Sequence, residues 1–99
     1  MAKDITIDDI LQDLQAVEPI ILQYEQKYRL LSPYFYRLYQ KGKLEERWDF
    51  MDWAALYEIK LDREKEYEKR LSDVLKNLPL EEHVEEDMLM TESESALHE

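Results

Sequence analysis

Residue types able to carry out catalysis are scarce in this chain, and their spacing does not assemble a site. The 99 residues include no cysteine, two histidines and one glycine. Both histidines, His83 and His98, lie near the C-terminus, where no surrounding pattern would hold a general base in place. A phosphate-binding loop needs several glycines, and Gly42 stands alone. The sequence therefore predicts no catalytic residue, and we expect a protein that is not an enzyme.

The carboxylates do not form a metal site either. Asp49 is a candidate N-cap, and Asp52 is an expected acid in the first turn of the same helix, where the helix dipole favours negative charge. Glu82-His83 and Glu86-Asp87 lack the spacing of metal ligands carried on a helix. We expect neither a metal ion nor another cofactor.

Charge is distributed unevenly along the chain. Residues 79–99 contain eight acidic and no basic side chains, a net charge of −8, whereas residues 1–78 contain 16 acidic and 13 basic ones, a net charge of −3. Nucleic-acid affinity comes mainly from clustered Lys and Arg, so direct binding to DNA or RNA is not expected. A basic protein is the expected partner of the acidic tail. Without a long apolar run, no membrane span or signal peptide is expected, and we expect a cytoplasmic location.

An unbroken heptad pattern predicts a first helix over residues 7–31. We call the apolar positions of this pattern the first seam: Ile7, Ile10, Leu14, Val17, Ile21, Tyr24, Tyr28 and Leu31. Thr6 is the expected N-cap. Pro19 lies away from the seam and has two interpretations: it kinks a single helix, or it opens a second one.

Residues 32–57, which we call the hinge, separate this helix from the next one. Ser32 followed by Pro33 is typical of a helix start, with the serine oxygen accepting from a free backbone N–H. A short helix over residues 33–41 is expected, closed by Gly42 in the left-handed conformation. A second long helix is then predicted over residues 50–78, ending before Pro79.

The second long helix has its own seam, interrupted by charge. The second seam consists of Phe50, Trp53, Tyr57, Lys60, Glu64, Tyr67, Leu71, Val74 and Leu78. The two charged members, Lys60 and Glu64, either set the register of a contact with another helix or mark a solvent-exposed middle.

Together these elements predict an all-α fold. We expect a long antiparallel helical hairpin over residues 1–78, with a short helix at the hinge and an acidic, disordered tail over 79–99. A two-helix hairpin leaves apolar edges uncovered, so a homodimer or a partner helix is expected to cover them. In the tail, Leu80, Val84, Met88 and Leu89 either form an amphipathic helix on a partner or belong to a purely solubilising segment.

The aromatic residues of the hinge also have two interpretations. Phe50, Trp53 and Tyr57 have the spacing of a core that packs against the short helix. Trp48, which lies off the seam, and the tyrosines Tyr34 and Tyr36 are instead expected to face outward and to contact a partner, as aromatic anchors do at interfaces. Trp53 is kept as a candidate for both roles.

The hinge resembles a group of short helical antitoxins encoded in bacterial and archaeal toxin–antitoxin gene pairs. Their pattern has a Lys-Tyr ending one helix, Ser-x-x-Phe opening the next, a Gly-x-Leu turn, and a helix with acid-Phe-x-x-Trp-Ala-x-Leu-Tyr. The matching residues are Tyr24, Lys27, Tyr28, Ser32, Phe35, Tyr39, Gly42, Leu44 and the run 49–57, Asp-Phe-Met-Asp-Trp-Ala-Ala-Leu-Tyr. The chain departs from the pattern at Arg29, where glycine is usual, and at residues 45–48, where Gly-Asp-Asp often follows the turn.

The resemblance implies an antitoxin that neutralises a small, basic cognate toxin by direct protein–protein binding. It also implies that the tail folds onto the toxin. The alternative from another class is a self-associating helical adaptor or assembly chaperone that has no toxin partner.

Overall fold

The computed structural model describes residues 4–79, and it confirms the expected all-α class for this part of the chain. Four helices occur there: α1 (Ile7–Tyr28), α2 (Ser32–Gln40), α3 (Trp48–Lys69) and α4 (Leu71–Lys76). Residues 4–79 contain no β-strand. The chain divides into two compact units, Met1–Tyr67 and Glu68–Glu99. The expected disordered tail, apart from Pro79, lies outside the described residues.

Local sequence signals account for the start and course of α1. The Thr6 hydroxyl accepts a hydrogen bond from the Asp9 N–H at 3.0 Å, and the Asp9 carboxylate accepts one from the Thr6 N–H at 3.1 Å. This reciprocal pair confirms Thr6 as the N-cap. Pro19 lies inside the helix, so α1 continues through it rather than dividing into two helices.

Burial along α1 follows the first seam until the helix ends. Ile10, Val17 and Ile21 are buried. Leu31, the last predicted member, is exposed. The expected helix end at residue 31 is therefore wrong, since α1 ends at Tyr28.

A left-handed residue terminates α1. Arg29 has φ 56° and ψ 40°, and its N–H donates to the Glu25 carbonyl. In the resembled pattern this position is glycine, the residue that adopts positive φ without steric cost. The departure of this chain from the resembled pattern therefore falls at a position whose conformation glycine would adopt more readily.

The short helix α2 begins and ends one residue earlier than expected. Pro33 lies in its first turn, and its N-cap is Leu31, which has no side-chain cap. At the other end Gly42 has φ 67°, its N–H donates to the Tyr39 carbonyl, and the Lys43 N–H donates to the Leu38 carbonyl. These two bonds form a Schellman motif, which explains why the only glycine lies here.

The predicted helix over residues 50–78 is two helices. α3 begins at Trp48 and ends at Lys69, and Arg70, with φ −106° and ψ 6°, precedes the six-residue α4. Pro79 therefore does not set the end of the long helix. Neither proline nor glycine occurs at the break at Arg70, so the residue types that usually end a helix did not predict it.

Contacts within the first unit join α1 to α3 in reverse chain order. Asp13 pairs with Arg63, whose Nε donates to the Asp13 carboxylate at 2.6 Å. Tyr24 donates a hydrogen bond to Asp52, and Lys27 donates one to Asp49. The buried core between the helices consists of Val17, Ile21, Phe35, Trp53, Ala54 and Tyr57. The first seam and the N-terminal half of the second thus meet around α2.

Replacing Arg29 with glycine should stabilise the protein. A left-handed conformation costs an L-residue about 1–2 kcal/mol, and the extra unfolded-state entropy of glycine offsets about half of that. We expect Arg29→Gly to raise the free energy of unfolding by about 0.5–1 kcal/mol, measured by urea denaturation followed by circular dichroism. The matched control is Gln26→Gly in the helical part of α1, which should lower it by about 1 kcal/mol. A loss of stability in Arg29→Gly would contradict this account.

Candidate functional site

Five aromatic residues, two from α1 and three from the hinge, pack together around Trp53. We call them the aromatic cluster: Tyr24 and Tyr28 from α1, Phe35 from α2, and Phe50 and Trp53 from α3. Trp53 is fully buried and stacks on Phe35, with ring centroids 3.7 Å apart and planes within 3°. The rings of Tyr24 and Tyr28 lie 5.7 and 5.8 Å from that of Trp53. The indole of α3 therefore contacts both α1 and α2.

A buried hydrogen bond fixes the orientation of that indole. The Trp53 Nε1–H donates to the Ser32 hydroxyl oxygen at 2.9 Å, and both residues are buried. The Ser32 backbone N–H donates to the Glu25 carboxylate, also at 2.9 Å. The expectation that Ser32 caps a helix with its side chain is wrong, because its oxygen accepts from the indole instead. Sequence reasoning missed this pair, since the two residues are 21 positions apart.

Two tyrosine–carboxylate hydrogen bonds border the cluster. The Tyr24 hydroxyl donates to Asp52 and the Tyr28 hydroxyl to Asp49, both at 2.7 Å. The Lys27 ammonium also donates to Asp49 at 2.7 Å. Because α3 begins at Trp48, Asp49 lies in its first turn rather than at its N-cap, and Asp52 lies beyond the first turn; both act as tertiary acceptors. The sequence contains a signal for these bonds: Tyr24 and Tyr28 are about one turn apart on α1, and Asp49 and Asp52 are about one turn apart on α3.

These bonds shift the pKa of Tyr24, Lys27 and Asp49. The hydrogen bond to Asp52, followed by burial, raises the pKa of Tyr24 to about 12. The hydrogen bonds from Lys27 and then Tyr28 lower the pKa of Asp49 below its ordinary value. The same bond to Asp49 raises the pKa of Lys27. The native state thus favours protonated Tyr24 and Lys27 and an ionised Asp49.

The predicted partner-binding residues separate into exposed and buried groups. Trp48 is 71% exposed and Tyr34 is 53% exposed, so both are accessible to a partner. Trp53 is not, because it is fully buried in the aromatic cluster. Tyr36 is half-buried rather than outward: its ring lies against Tyr57, and its hydroxyl donates to Glu58 at 2.7 Å. The remaining candidates, Leu80, Val84, Met88 and Leu89, lie outside the described residues.

Apolar residues on the outer side of α2 form a candidate protein-binding surface. We call it the α2 stripe: Leu31, Tyr34 and Leu38, which are 59%, 53% and 39% exposed. Tyr34 and Leu38 are one turn apart and so are neighbours on the helix surface. The Arg37 guanidinium lies 5.5 Å from the Tyr34 ring centroid, a cation–π contact that restrains the tyrosine. Sequence reasoning selected Tyr34 here and missed both leucines.

A groove follows the C-terminus of α2. It has a volume of about 540 Å³, with Tyr39, Leu44 and Met51 on its apolar part and Glu45 and Glu46 on its polar part. The Glu45 carboxylate accepts from the Arg47 Nε at 3.3 Å. The groove combines an apolar wall with carboxylates, which suits a long basic side chain with an aliphatic stem.

Neither a metal site nor a membrane span is found in the part of the chain that the structure describes. Residues 4–79 contain no group of three or more His, Cys, Asp or Glu side chains placed to hold a metal ion. No helix among them has the length and apolar composition needed to cross a membrane. Comparison of the chain with family models, curated proteins and solved structures gives no match.

Removing the Ser32 hydroxyl should destabilise the hinge. Ser32→Ala leaves the buried Trp53 N–H without an acceptor, which costs about 1–3 kcal/mol of unfolding free energy. In Trp53→Phe that donor is absent, so adding Ser32→Ala should cost at least about 1 kcal/mol less than in the wild type. Urea denaturation of the four proteins measures the coupling. Additive losses would contradict the assigned hydrogen bond.

Alkaline pH should destabilise the protein through Tyr24. Because the folded-state pKa of Tyr24 is about 12 and the ordinary value is 10.0, its contribution is complete below pH 10 and is lost as the pH rises towards 12. We expect the free energy of unfolding to fall over this window, and to fall less steeply in Tyr24→Phe. Leu22→Ala, which removes an exposed and non-titrating side chain of α1, is the control and should keep the wild-type slope. Equal slopes in all three proteins would show that Tyr24 does not carry the effect.

Proposed function

We propose that this protein is antitoxin-like and neutralises a small basic toxin by direct protein–protein binding. The observation that carries the proposal is the exposed α2 stripe. The opposite side of α2 packs against the aromatic cluster, which fixes the position of the helix. A binding surface loses least conformational entropy when the element bearing it is already fixed. The resemblance of the hinge to short helical antitoxins supplies the class of partner.

The proposed scaffold is an antiparallel helical hairpin formed by α1 and α3. The pairs Asp13–Arg63, Tyr24–Asp52 and Lys27–Asp49 support this arrangement, because residue numbers rise along α1 as they fall along α3. In this arrangement α2 lies at the closed end, where Ser32 and Phe35 both contact Trp53. The hairpin would therefore present the α2 stripe at its tip.

Charge supports a basic partner. The net charge of the chain is −11, and a field of this sign accelerates encounter with a cationic protein and depends on ionic strength. Glu45 and Glu46 beside the groove add local acceptors for a basic side chain. At the α2 stripe itself, Arg37 and Lys41 require carboxylate or carbonyl acceptors on the partner. We propose that the acidic tail contributes the steering and the α2 stripe contributes the apolar contact.

The experiment co-expresses the tagged protein with the product of the adjacent gene and asks whether growth arrest by that product is relieved. A small basic protein that co-purifies at low salt, and whose toxicity disappears in the complex, supports the proposal. A neighbouring product that neither arrests growth nor binds would contradict it.

Truncating the α2 stripe should weaken this complex. We expect Tyr34→Ala/Leu38→Ala to raise Kd by at least about tenfold, since truncation of central interface residues costs about 2 kcal/mol or more. The matched control, Ile20→Ala/Leu22→Ala, removes similarly exposed side chains from α1 and should change Kd less than about twofold. Isothermal titration calorimetry measures both values. Equal losses would place the contact elsewhere on the surface.

The second candidate function is a self-associating helical adaptor or assembly chaperone. One observation favours it: α3 carries exposed apolar residues on the side turned away from the core, beginning with Trp48 and Met51. Such an adaptor would bind a helix of a larger assembly and would not relieve toxicity. The growth assay therefore separates the two functions.

A further inference from the structure

The helix α3 has a second apolar face that the first unit does not cover. We call it the α3 stripe: Trp48, Met51, Ala55 and Ile59. At about 100° per residue these four side chains fall within about 80° of the helix circumference, and the buried Trp53 and Tyr57 lie on the opposite side of the helix. All four are exposed, Met51 at 57% and Ile59 at 38%. The α3 stripe is distinct from both predicted seams and from the α2 stripe.

The order of residues in the α3 stripe is close to symmetric about Ala55. Met51 lies four residues before Ala55 and Ile59 four residues after it. A two-fold axis through Ala55 would therefore place Met51 of one copy opposite Ile59 of a second, antiparallel copy. The small alanine at the centre lets the two helix axes approach to about 8 Å, the lower end of helix packing distances.

Charge at the two ends of the stripe also favours an antiparallel copy. Arg47 precedes the stripe, Asp62 follows it, and both side chains are more than half exposed. Antiparallel packing brings Arg47 of one copy towards Asp62 of the other, whereas parallel packing places like charges together. The acids beside the stripe, Asp52 and Glu58, already accept hydrogen bonds from Tyr24 and Tyr36 of their own chain. The donors of these bonds are neutral hydroxyls, so the charge complementarity of this face comes from Arg47 and Asp62 at its two ends.

We propose that the α3 stripe is the interface of a homodimer in which two copies of α3 pack antiparallel about Ala55. This assigns a surface and a register to self-association, and it leaves the α2 stripe free on each copy. The proposal does not depend on the toxin, because the purified full-length chain alone tests it.

The first test is the mass of the protein in solution. Sedimentation equilibrium across micromolar concentrations should give twice the chain mass of 12.1 kDa for the wild type. Ala55→Glu places a carboxylate at the axis of the dimer, and it should give the mass of one chain with an unchanged helical circular dichroism spectrum. Leu22→Glu, which charges an exposed leucine of α1, should remain dimeric. A monomeric wild type, or a dimer that Ala55→Glu does not dissociate, would overturn the proposal.

Disulfide trapping tests the register. Because the chain has no native cysteine, every disulfide that forms involves an introduced cysteine. Under mild oxidation Ala55→Cys should cross-link to itself, because a two-fold axis brings both copies of that position together. Met51→Cys and Ile59→Cys should cross-link when mixed and much less when oxidised separately. Efficient self-cross-linking of Met51→Cys, with none at Ala55→Cys, would refute an axis at Ala55.

Discussion

The hydrogen bond from Trp53 to Ser32, inside the stack of Trp53 on Phe35, is the interaction on which the rest of this structure depends. A buried tryptophan removes about 150–250 Å² from water, worth about 4–6 kcal/mol, which is a large share of the stability of a small domain. Burial of the indole N–H without a hydrogen-bond acceptor would cancel part of this free energy. Ser32 supplies that acceptor from α2, so one side chain of α3 fixes the position of α2. The tyrosines of α1 then complete the enclosure.

A fixed interior of this kind explains how apolar surface can remain outside. With α1, α2 and α3 held by the aromatic cluster and by the tyrosine–carboxylate bonds, the outer faces of α2 and α3 are not needed for folding the first unit. Their leucine, tyrosine, methionine and tryptophan side chains remain exposed although water disfavours them. These two stripes are the surfaces to which we assign the two proposed contacts, one with a different protein and one with a second copy.

Several features could be predicted because they are local. The Thr6 cap, the burial of the first seam from Ile10 to Ile21 and the left-handed Gly42 follow from residue types and a 3.6-residue period. The end of α1 at Arg29 and the break at Arg70 could not, because neither residue is a usual helix terminator. A positive φ at arginine is tolerated only where the surrounding contacts outweigh its cost.

The sequence by itself determined the all-α class, the heptad faces and the concentration of acidic charge after residue 78, since these depend on composition and period alone. Only the tertiary structure decided which aromatic residues are buried. Trp48 and Trp53 differ by about 140° around α3, so both cannot face the core, and the neighbours that cover one face are contributed by distant segments. The same reason applies to Ser32, Asp49 and Asp52: their residue types suit a helix start, but their acceptor roles arise only when another helix brings a donor within reach.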